Sequence, residues 1–215
     1  MSYGKVCTGF SRPYVAKYNN AGGAVTYTGG MRLARGVSVS INPEASDDNN
    51  FYADNMVAES ENGRFTGGTL GLTVDGLFQP AERLIFGLPE PEEVSYGESK
   101  KVSVQKYGDN AEPPYVGVGV IVEYQSRGVT SYAPVILTKA KFKTSGTEAQ
   151  TREDTKNWQT QDLEATLCRD DTANHAWKWV AEEQATEEAA AAIIEGLFNV
   201  AQAESGDASE AATEA

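Results

Sequence analysis

The stretch from Val116 to Tyr124 constrains the fold more than any other part of the sequence. It reads Val-Gly-Val-Gly-Val-Ile-Val-Glu-Tyr, so that apolar residues recur at every second position. Because successive side chains of a β-strand point to opposite faces, this period of two is typical of a strand with one face in a core. Gly117 and Gly119 fall on the other face, where we expect a neighbouring backbone to come close. The sequence therefore predicts a β protein.

Shorter segments with the same alternation occur along the first 180 residues. An early hairpin is expected around Val25 and Tyr27, between the glycine pairs 22–23 and 29–30. One short helix is predicted at 79–87, because Pro80 suits its first turn and a glycine can end it. Further strands are predicted at 37–41, 70–74, 102–104, 132–142, 158–167 and 177–179.

A long polar connection, residues 42–66, separates two of the predicted strands. Most connections in compact domains are far shorter, at about 4–6 residues, and loops of this length are usually functional or disordered. The apolar residues Phe51, Tyr52, Met56 and Val57 argue against disorder. We therefore expect this connection to become ordered by packing against another molecule.

The C-terminal part differs in character from the rest. A helical segment is predicted at 182–203, with Thr186 as its N-cap and an apolar stripe that includes Ile194, Leu197 and Phe198. Residues 204–215 are acidic and of low complexity, so we expect a disordered tail. These segments leave residues 1–181 as a single β domain.

The negative charge is concentrated at this end of the chain. The net charge is −13, and nine acidic residues but no Lys or Arg follow Lys178. Without those nine residues the charge is −4, so residues 1–181 are only mildly acidic. Tight binding to a nucleic-acid backbone needs clustered Lys and Arg, and this balance argues against it.

Candidate catalytic and metal-binding residues are few. His175, the only histidine, lies in a polar segment typical of an exposed turn, and no nucleophile motif or phosphate-binding loop accompanies it. Cys7 and Cys168 are expected to be reduced and buried, with a disulfide between them as the alternative. Asp47, Asp48 and Asp54 lack the spacing of a calcium loop. The sequence therefore predicts no enzyme, no cofactor and no metal.

Signals for membranes and export are also few. Nothing approaches the run of about 18 apolar residues that a membrane span needs. The first residues lack the basic and then apolar pattern of a signal peptide. We therefore expect no membrane contact and assembly in a cytosol.

Several segments resemble a known family. The residues at 48–55 (DNNFYADN), 68–77 (GTLGLTVDGL), 140–143 (AKFK), 148–160 (EAQTREDTKNWQT) and 163–166 (LEAT) are similar, in order and spacing, to the phi13-type major tail proteins. These are tail tube proteins of long-tailed phages that infect Gram-positive bacteria. The resemblance covers roughly the first 180 residues.

This resemblance implies a fold and a mode of assembly. The expected fold is mainly β, a β-sandwich or partly closed barrel with a flanking short helix. Six copies would form a ring, and stacked rings would form a tube in the virion tail through which genomic DNA passes into the host without specific binding. Other expected partners are the tape measure, terminator and distal tail proteins. The long connection would bridge rings, and its candidate assembly residues are Asp47, Asp48, Phe51, Tyr52, Asp54, Asn55, Met56 and Phe65.

Two alternatives remain open from the sequence. A tube protein of a contractile or secretion system would share the same features. A surface-binding β-sandwich would instead need aromatic residues on an exposed sheet face. The candidates for such a face are Tyr14, Tyr18, Tyr27, Trp177 and Trp179.

Overall fold

The structure is a computed structural model that describes residues 4–97, 100–109, 111–144, 146, 151 and 158–201. Within these residues the chain forms twelve strands and two helices, which confirms the mainly β class. In chain order the elements are β1 (Val6–Ala21), β2 (Ala24–Arg32), β3 (Gly36–Ala45), β4 (Asn49–Ala53), β5 (Met56–Glu61), β6 (Phe65–Val74), α1 (Gln79–Phe86), β7 (Glu92–Tyr96), β8 (Lys100–Val104), β9 (Val116–Ser126), β10 (Val129–Phe142), β11 (Gln161–Cys168), β12 (Lys178–Val180) and α2 (Glu187–Phe198).

Eight of the strands form one antiparallel sheet in the order β2-β1-β9-β10-β11-β6-β3, with β12 as a branch beside β10. β9 pairs along one edge of β10. Along the other edge, residues 135–137 pair with β12 and residues 139–142 pair with β11. No hydrogen-bond ladder joins β2 to β3 within the described residues, so the sheet is open and not a closed barrel. Two separate two-stranded sheets, β4–β5 and β7–β8, complete the β structure.

The large sheet curls around one apolar core. The period-two pattern of β9 places Val116, Val118 and Val120 in this core, where all three side chains are fully buried. Val15 of β1 and Leu72 of β6 belong to the same cluster, so strands from distant parts of the sheet meet there. Helix α1 contributes three further buried side chains, which are Ala81, Ile85 and Phe86.

Helix α2 packs on the other face of the sheet. Its buried residues Ile194 and Phe198 lie over Gly119, where an added Cβ atom would come within 2.5 Å of the Ile194 Cγ2 atom. A Cβ atom on Gly117 would lie 2.4 Å from the Tyr27 Cε1 atom. The expectation that a neighbouring backbone approaches these two glycines is therefore wrong, because side chains from β2 and α2 fill the space.

Most of the predicted elements are present. Helix α1 is confirmed, and Gly87 ends it in the left-handed conformation with a φ of 63°. The segments predicted as strands from their alternation all overlap observed strands. The strand predicted from residue 158 begins later, at Gln161, and Trp158 is 84% exposed. The hairpin expected around Val25 and Tyr27 falls on β2, whereas strands β1, β4, β5 and β7 were not predicted.

The predicted C-terminal helix is shorter than expected and docked on the sheet. Thr186 is its N-cap, as predicted, and its hydroxyl accepts a hydrogen bond from the Ala189 amide at 3.2 Å. Leu197, which was expected in the buried stripe, is exposed, and the small residues Ala190 and Ala191 are buried in its place. Small side chains allow the helix to lie close to the sheet. The acidic tail predicted at 204–215 lies outside the described residues.

The two cysteines are free, and they differ in exposure. Cys168 is partly buried, whereas Cys7 is exposed, so the expectation of burial is wrong for Cys7. The reason is that β1 begins beyond the edge of the core, and residues 6–8 are exposed on both faces of the strand. In the described part of the chain, neither helix is long and apolar enough to cross a membrane.

Candidate assembly surface

Residues 42–66, predicted to be one long connection, form regular β structure instead. β3 continues to Ala45, β6 begins at Phe65, and β4 and β5 form a hairpin between them. Asp54 and Asn55 form its turn with φ values of 50° and 61°, which is the positive pair that a type I′ turn requires. A β-bulge at Ala58 of β5, opposite Phe51 and Tyr52, breaks the period of two in that strand, so alternation alone did not reveal β5.

The base of the β4–β5 hairpin is held by backbone and side-chain hydrogen bonds. The Ser46 amide donates to the Arg64 carbonyl oxygen at 2.9 Å, and the Arg64 amide donates to the Ser46 hydroxyl at 3.0 Å. Nearer to the tip of the hairpin, the Gly63 amide donates to the Asp48 carboxylate at 2.8 Å. The hairpin therefore continues the β3–β6 ladder outward from the sheet.

Phe65 has a different role from the other predicted assembly residues. Its ring stacks on the Trp177 ring with the centroids 4.8 Å apart and an interplanar angle of 5°. It is partly buried against the main core. Phe65 therefore anchors the base of the hairpin and is not part of its exposed surface.

Large apolar side chains lie exposed on the β4–β5 hairpin. Phe51 is 63% exposed, Tyr52 64%, Met56 70% and Val57 51%, and every residue of β4 and β5 is exposed. Such a concentration of apolar side chains on an otherwise isolated hairpin is typical of an interaction surface. Asp47, Asp48, Asp54 and Asn55, the other predicted assembly residues on this segment, are also exposed.

The strand register divides these residues between two faces. Phe51 pairs with Glu59, and Ala53 pairs with Met56, so these residues share one face, here called the Phe51 face. Tyr52 pairs with Val57 on the opposite face, here called the Tyr52 face. The Phe51 face also carries Glu61 opposite Asn49, and Glu61 forms an ion pair of 2.7 Å with Arg64. The Phe51 face is therefore apolar and acidic, whereas the described pairs of the Tyr52 face carry no charge.

A second exposed hairpin, β7–β8, was not predicted as part of a site. Val94 pairs with Val102, Tyr96 with Lys100 and Glu92 with Val104, so these six residues share a face, here called the Val94 face, where Glu92 also forms an ion pair with Lys106. Its apolar side chains are substantially exposed, with Val94 at 39%, Tyr96 at 53% and Val102 at 45%. The opposite face is polar and carries a 3.0 Å ion pair between Lys101 and Glu93. The alternation of Val94 with Tyr96, and of Val102 with Val104, is the sequence signal that would have identified this hairpin.

The aromatic residues that a surface-binding module would need are largely buried. Tyr14 is 3% exposed, Tyr18 9% and Tyr27 3%. Trp179 is partly buried against the cluster beneath α2, and Trp177 is partly buried on Phe65. These five residues therefore do not form an exposed aromatic surface.

His175 lies in an exposed turn, as expected. Its φ is 49°, and its amide donates to the Thr172 carbonyl oxygen at 3.0 Å. Among the residues that the structure describes, no three His, Cys, Asp or Glu side chains come together in a way that could hold a metal ion.

Comparison with models of known protein families and with curated proteins finds no match for the chain. The family resemblance of the short segments therefore stays a prediction. Two of those segments fall on the elements just described, since 48–55 lies on the β4–β5 hairpin and 68–77 includes most of β6. Most of the segment at 148–160 lies outside the described residues.

Proposed function

We propose that this protein is a structural subunit that assembles with copies of itself into stacked hexameric rings, which form the tube of a phage tail. The observation that carries this proposal is the β4–β5 hairpin, which projects from the core with four large apolar side chains exposed. The hexameric ring and the passage of DNA come from the family resemblance. The hairpin supports the more general part of the proposal, which is contact between subunits.

The energetics of the hairpin favour an assembly with many contacts over a simple dimer. Burying one large apolar side chain stabilises a complex by about 1.5–3 kcal/mol. Association costs about 4–15 kcal/mol in lost translational and rotational freedom, so four such side chains leave little net affinity. A subunit that makes several such contacts at once in a closed, repeated lattice overcomes this cost.

The outer edge of β3 provides a second reason to expect contact between copies. Within the described residues β3 pairs only with β6, so its other edge has unpaired backbone groups. β1 contacts β3, with the Phe10 ring against Gly36, so part of this edge is covered. The remaining open edge is a site for pairing with another chain, and proteins usually protect such edges. Pairing with a neighbouring subunit satisfies these groups.

Removal of the β4–β5 hairpin tests the proposal. In the variant, residues 47–63 are replaced by an Asn-Gly turn, which fits the short distance between Ser46 and Arg64. We expect the variant to stay folded by circular dichroism and to form no rings or tubes in electron microscopy, whereas the concentrated wild-type protein forms hollow tubes of uniform diameter. A matched control replaces only the exposed turn Arg127-Gly128 of the β9–β10 hairpin with Asn-Gly.

Two results would contradict the proposal. The first is a wild-type protein that stays monomeric at every concentration, alone and with other tail components. The second is a hairpin-deleted variant that polymerises as the wild type does. The second result would exclude the hairpin as the assembly element while leaving self-assembly itself intact.

A further inference from the structure

The two small hairpins, β4–β5 and β7–β8, are the isolated parts of the fold. Apart from its own partner strand, neither makes an extensive contact with another named element of the described chain. An isolated two-stranded hairpin is marginally stable in water and gains stability when an apolar face packs against another surface. Both hairpins expose such a face within the same molecule, so each offers a surface that another molecule can cover.

We propose that the Phe51 face of the β4–β5 hairpin of one copy packs on the Val94 face of the β7–β8 hairpin of a second copy, with Glu59 placed against Lys100. This inference rests on the proposed self-assembly and adds the surface that receives the projecting hairpin. The apolar components are Phe51 and Met56 on one side and Val94 and Val102 on the other.

Charge complementarity identifies the second copy as the occupant. Glu59 lies directly across from Phe51 on the Phe51 face, and Lys100 lies directly across from Tyr96 on the Val94 face. Both side chains are exposed, and neither belongs to an ion pair among the described residues. The other lysine of β8, Lys101, is already paired with Glu93 on the opposite face. The other charged residues in the described pairs of these faces, Glu61 and Glu92, are already paired with Arg64 and Lys106. Among the described pairs, each face therefore carries one charge outside an ion pair, and these two charges are opposite in sign.

The register selects which face of the β4–β5 hairpin makes this contact. The Tyr52 face has apolar residues but no charged residue in its described pairs, so it offers nothing to Lys100. The Phe51 face offers both an apolar pair and Glu59. A wholly apolar contact would tolerate many orientations, whereas the charge pair favours one orientation.

The small size of the contact is consistent with a lattice of subunits. Strands of five residues extend for about 17 Å, and two strands are roughly 10 Å wide, so one face offers an area of about 170 Å². A stable pair of proteins usually needs about 800 Å² on each partner. This contact therefore does not hold an isolated dimer together and contributes only where other contacts place the two copies side by side.

A charge exchange tests the pairing in the full-length protein. We expect Glu59→Lys or Lys100→Glu alone to raise the critical concentration for assembly roughly fivefold, and the double variant to return it to within about twofold of wild type. Assembly is measured by sedimentation, with tubes verified by electron microscopy. The matched control compares Lys100→Gln with Lys101→Gln. Both changes remove one positive charge from β8, but Lys101 lies on the opposite face, so Lys100→Gln is expected to weaken assembly more.

Disulfide trapping provides a second measurement that does not depend on the charges. In a Cys7→Ser, Cys168→Ser background, Phe51→Cys with Val102→Cys is expected to form cross-links between copies under mild oxidation of assembled protein. Replacement of Val102→Cys by Ser103→Cys, on the opposite face of β8, is expected to reduce cross-linking at least roughly fivefold, because the thiol then points away from the contact.

The outcomes separate this inference from the proposed function. Two results with an assembling wild type would overturn the pairing and leave self-assembly intact. In the first, both single charge variants assemble as well as the wild type. In the second, the double variant is as impaired as the worse of the two single variants. Equal cross-linking through positions 102 and 103 also overturns the pairing. A wild-type protein that never assembles overturns both.

Discussion

The glycines of β9 illustrate how single positions determine the packing of this protein. Gly117 and Gly119 have no side chain, and this absence makes room for Tyr27 of β2 and for Ile194 and Phe198 of α2. The rings of Tyr27 and Phe198 also contact each other, with their centroids 4.9 Å apart. The residue-scale consequence is that the missing Cβ atom at Gly119 lets α2 pack closely on the sheet, and the missing Cβ atom at Gly117 makes room for Tyr27.

We predict that Gly119→Ala destabilises the fold by about 1–3 kcal/mol, because the new methyl group overlaps Ile194 and Phe198. Denaturant unfolding measures the change. The control is Gly196→Ala on α2, where a Cβ atom meets nothing within 4 Å, and this change is expected to stabilise the helix by about 0.5–1 kcal/mol. Equal effects of the two changes would contradict the packing described for Gly119.

Two buried tyrosines make the unfolding free energy depend on pH in the alkaline range. Burial and the 2.6 Å hydrogen bond to Glu195 raise the pKa of Tyr14 to about 12, and burial raises the pKa of Tyr18 to about 12. A tyrosine in the unfolded chain has a pKa of about 10. Above that pH the unfolded state releases protons that the folded state keeps. Their contribution to stability is therefore fully present below about pH 10 and is lost as the pH rises toward 12.

We predict that the wild type loses unfolding free energy between about pH 9 and about pH 11, and that Tyr14→Phe loses less over the same interval. At neutral pH the substitution itself costs about 1 kcal/mol, because Glu195 loses the hydrogen bond from the hydroxyl. Urea unfolding at the two pH values measures both quantities. A Tyr14→Phe protein with the same pH dependence as wild type would exclude Tyr14 as a source of it.

The ends of α2 illustrate the balance of forces on one element. Thr186 caps its first turn, and Arg12 of β1 forms ion pairs with Glu187 at 2.8 Å and with Glu188 at 3.0 Å. At the other end, Asn199 adopts the left-handed conformation, and its side-chain amide donates to the Tyr27 carbonyl oxygen at 2.7 Å. The helix is therefore fixed at both ends to the first hairpin of the chain.

We predict that Thr186→Ala lowers the unfolding free energy by about 1 kcal/mol, because the Ala189 amide loses its hydrogen-bond acceptor. Thr186→Ser keeps the hydroxyl and is expected to retain most of the stability. Thermal unfolding of the three proteins provides the comparison. If the alanine and serine variants unfold at the same temperature, the cap does not contribute as described.

The sequence predicted elements well where one physical signal acts alone, and less well where two signals compete. The alternation of β9 and the Pro80 and Gly87 boundaries of α1 were sufficient to identify those elements. The β4–β5 hairpin was missed because its bulge interrupts the alternation and its polar residues are typical of a loop. The pairing order of the strands, and hence the neighbours of Gly119, depends on contacts far apart in the sequence and could not be predicted from local patterns.

The candidate site was predicted in part for the same reason. The segment that carries Phe51, Tyr52 and Met56 was identified by its unusual composition, since exposed apolar residues in a polar stretch need an explanation. The role of Phe65 as an anchor depends on stacking with Trp177, which is more than a hundred residues away in sequence and has no local signal. The Val94 face was missed because β7, with five residues, gives too short a pattern to stand out, so the strand predicted at 102–104 had no recognised partner.

At the scale of the whole molecule, α2 is part of the fold and not an attachment to it. Ile194 and Phe198 are fully buried in a cluster with Tyr14, Ile121 and Ile136 from three strands of the sheet. Removal of the helix exposes that entire face. Since large core residues each contribute about 2–5 kcal/mol, the loss is comparable to the whole stability of a domain.

We predict that a chain that ends at Ala185 loses more than about 5 kcal/mol of unfolding free energy and is cleaved rapidly by proteases, because Ile194 and Phe198 no longer cover the sheet. A chain that ends at Ala201 keeps all of α2 and is the matched control. Limited proteolysis and denaturant unfolding measure the effect. A stable, protease-resistant protein that ends at Ala185 would contradict the role assigned to α2.

The bridge between Gly30 and Val200 has a consequence for biosynthesis. Strand β2 is among the first elements to leave the ribosome, whereas α2 and the residues that bridge to Gly30 are translated after every strand of the sheet. A nascent chain therefore holds the Tyr27 side of the first hairpin uncovered during most of translation, and stable packing of that face must await the helix. Premature termination of translation before α2 releases a polypeptide with an exposed apolar sheet, which is a substrate for chaperones and proteases rather than a shorter version of the subunit.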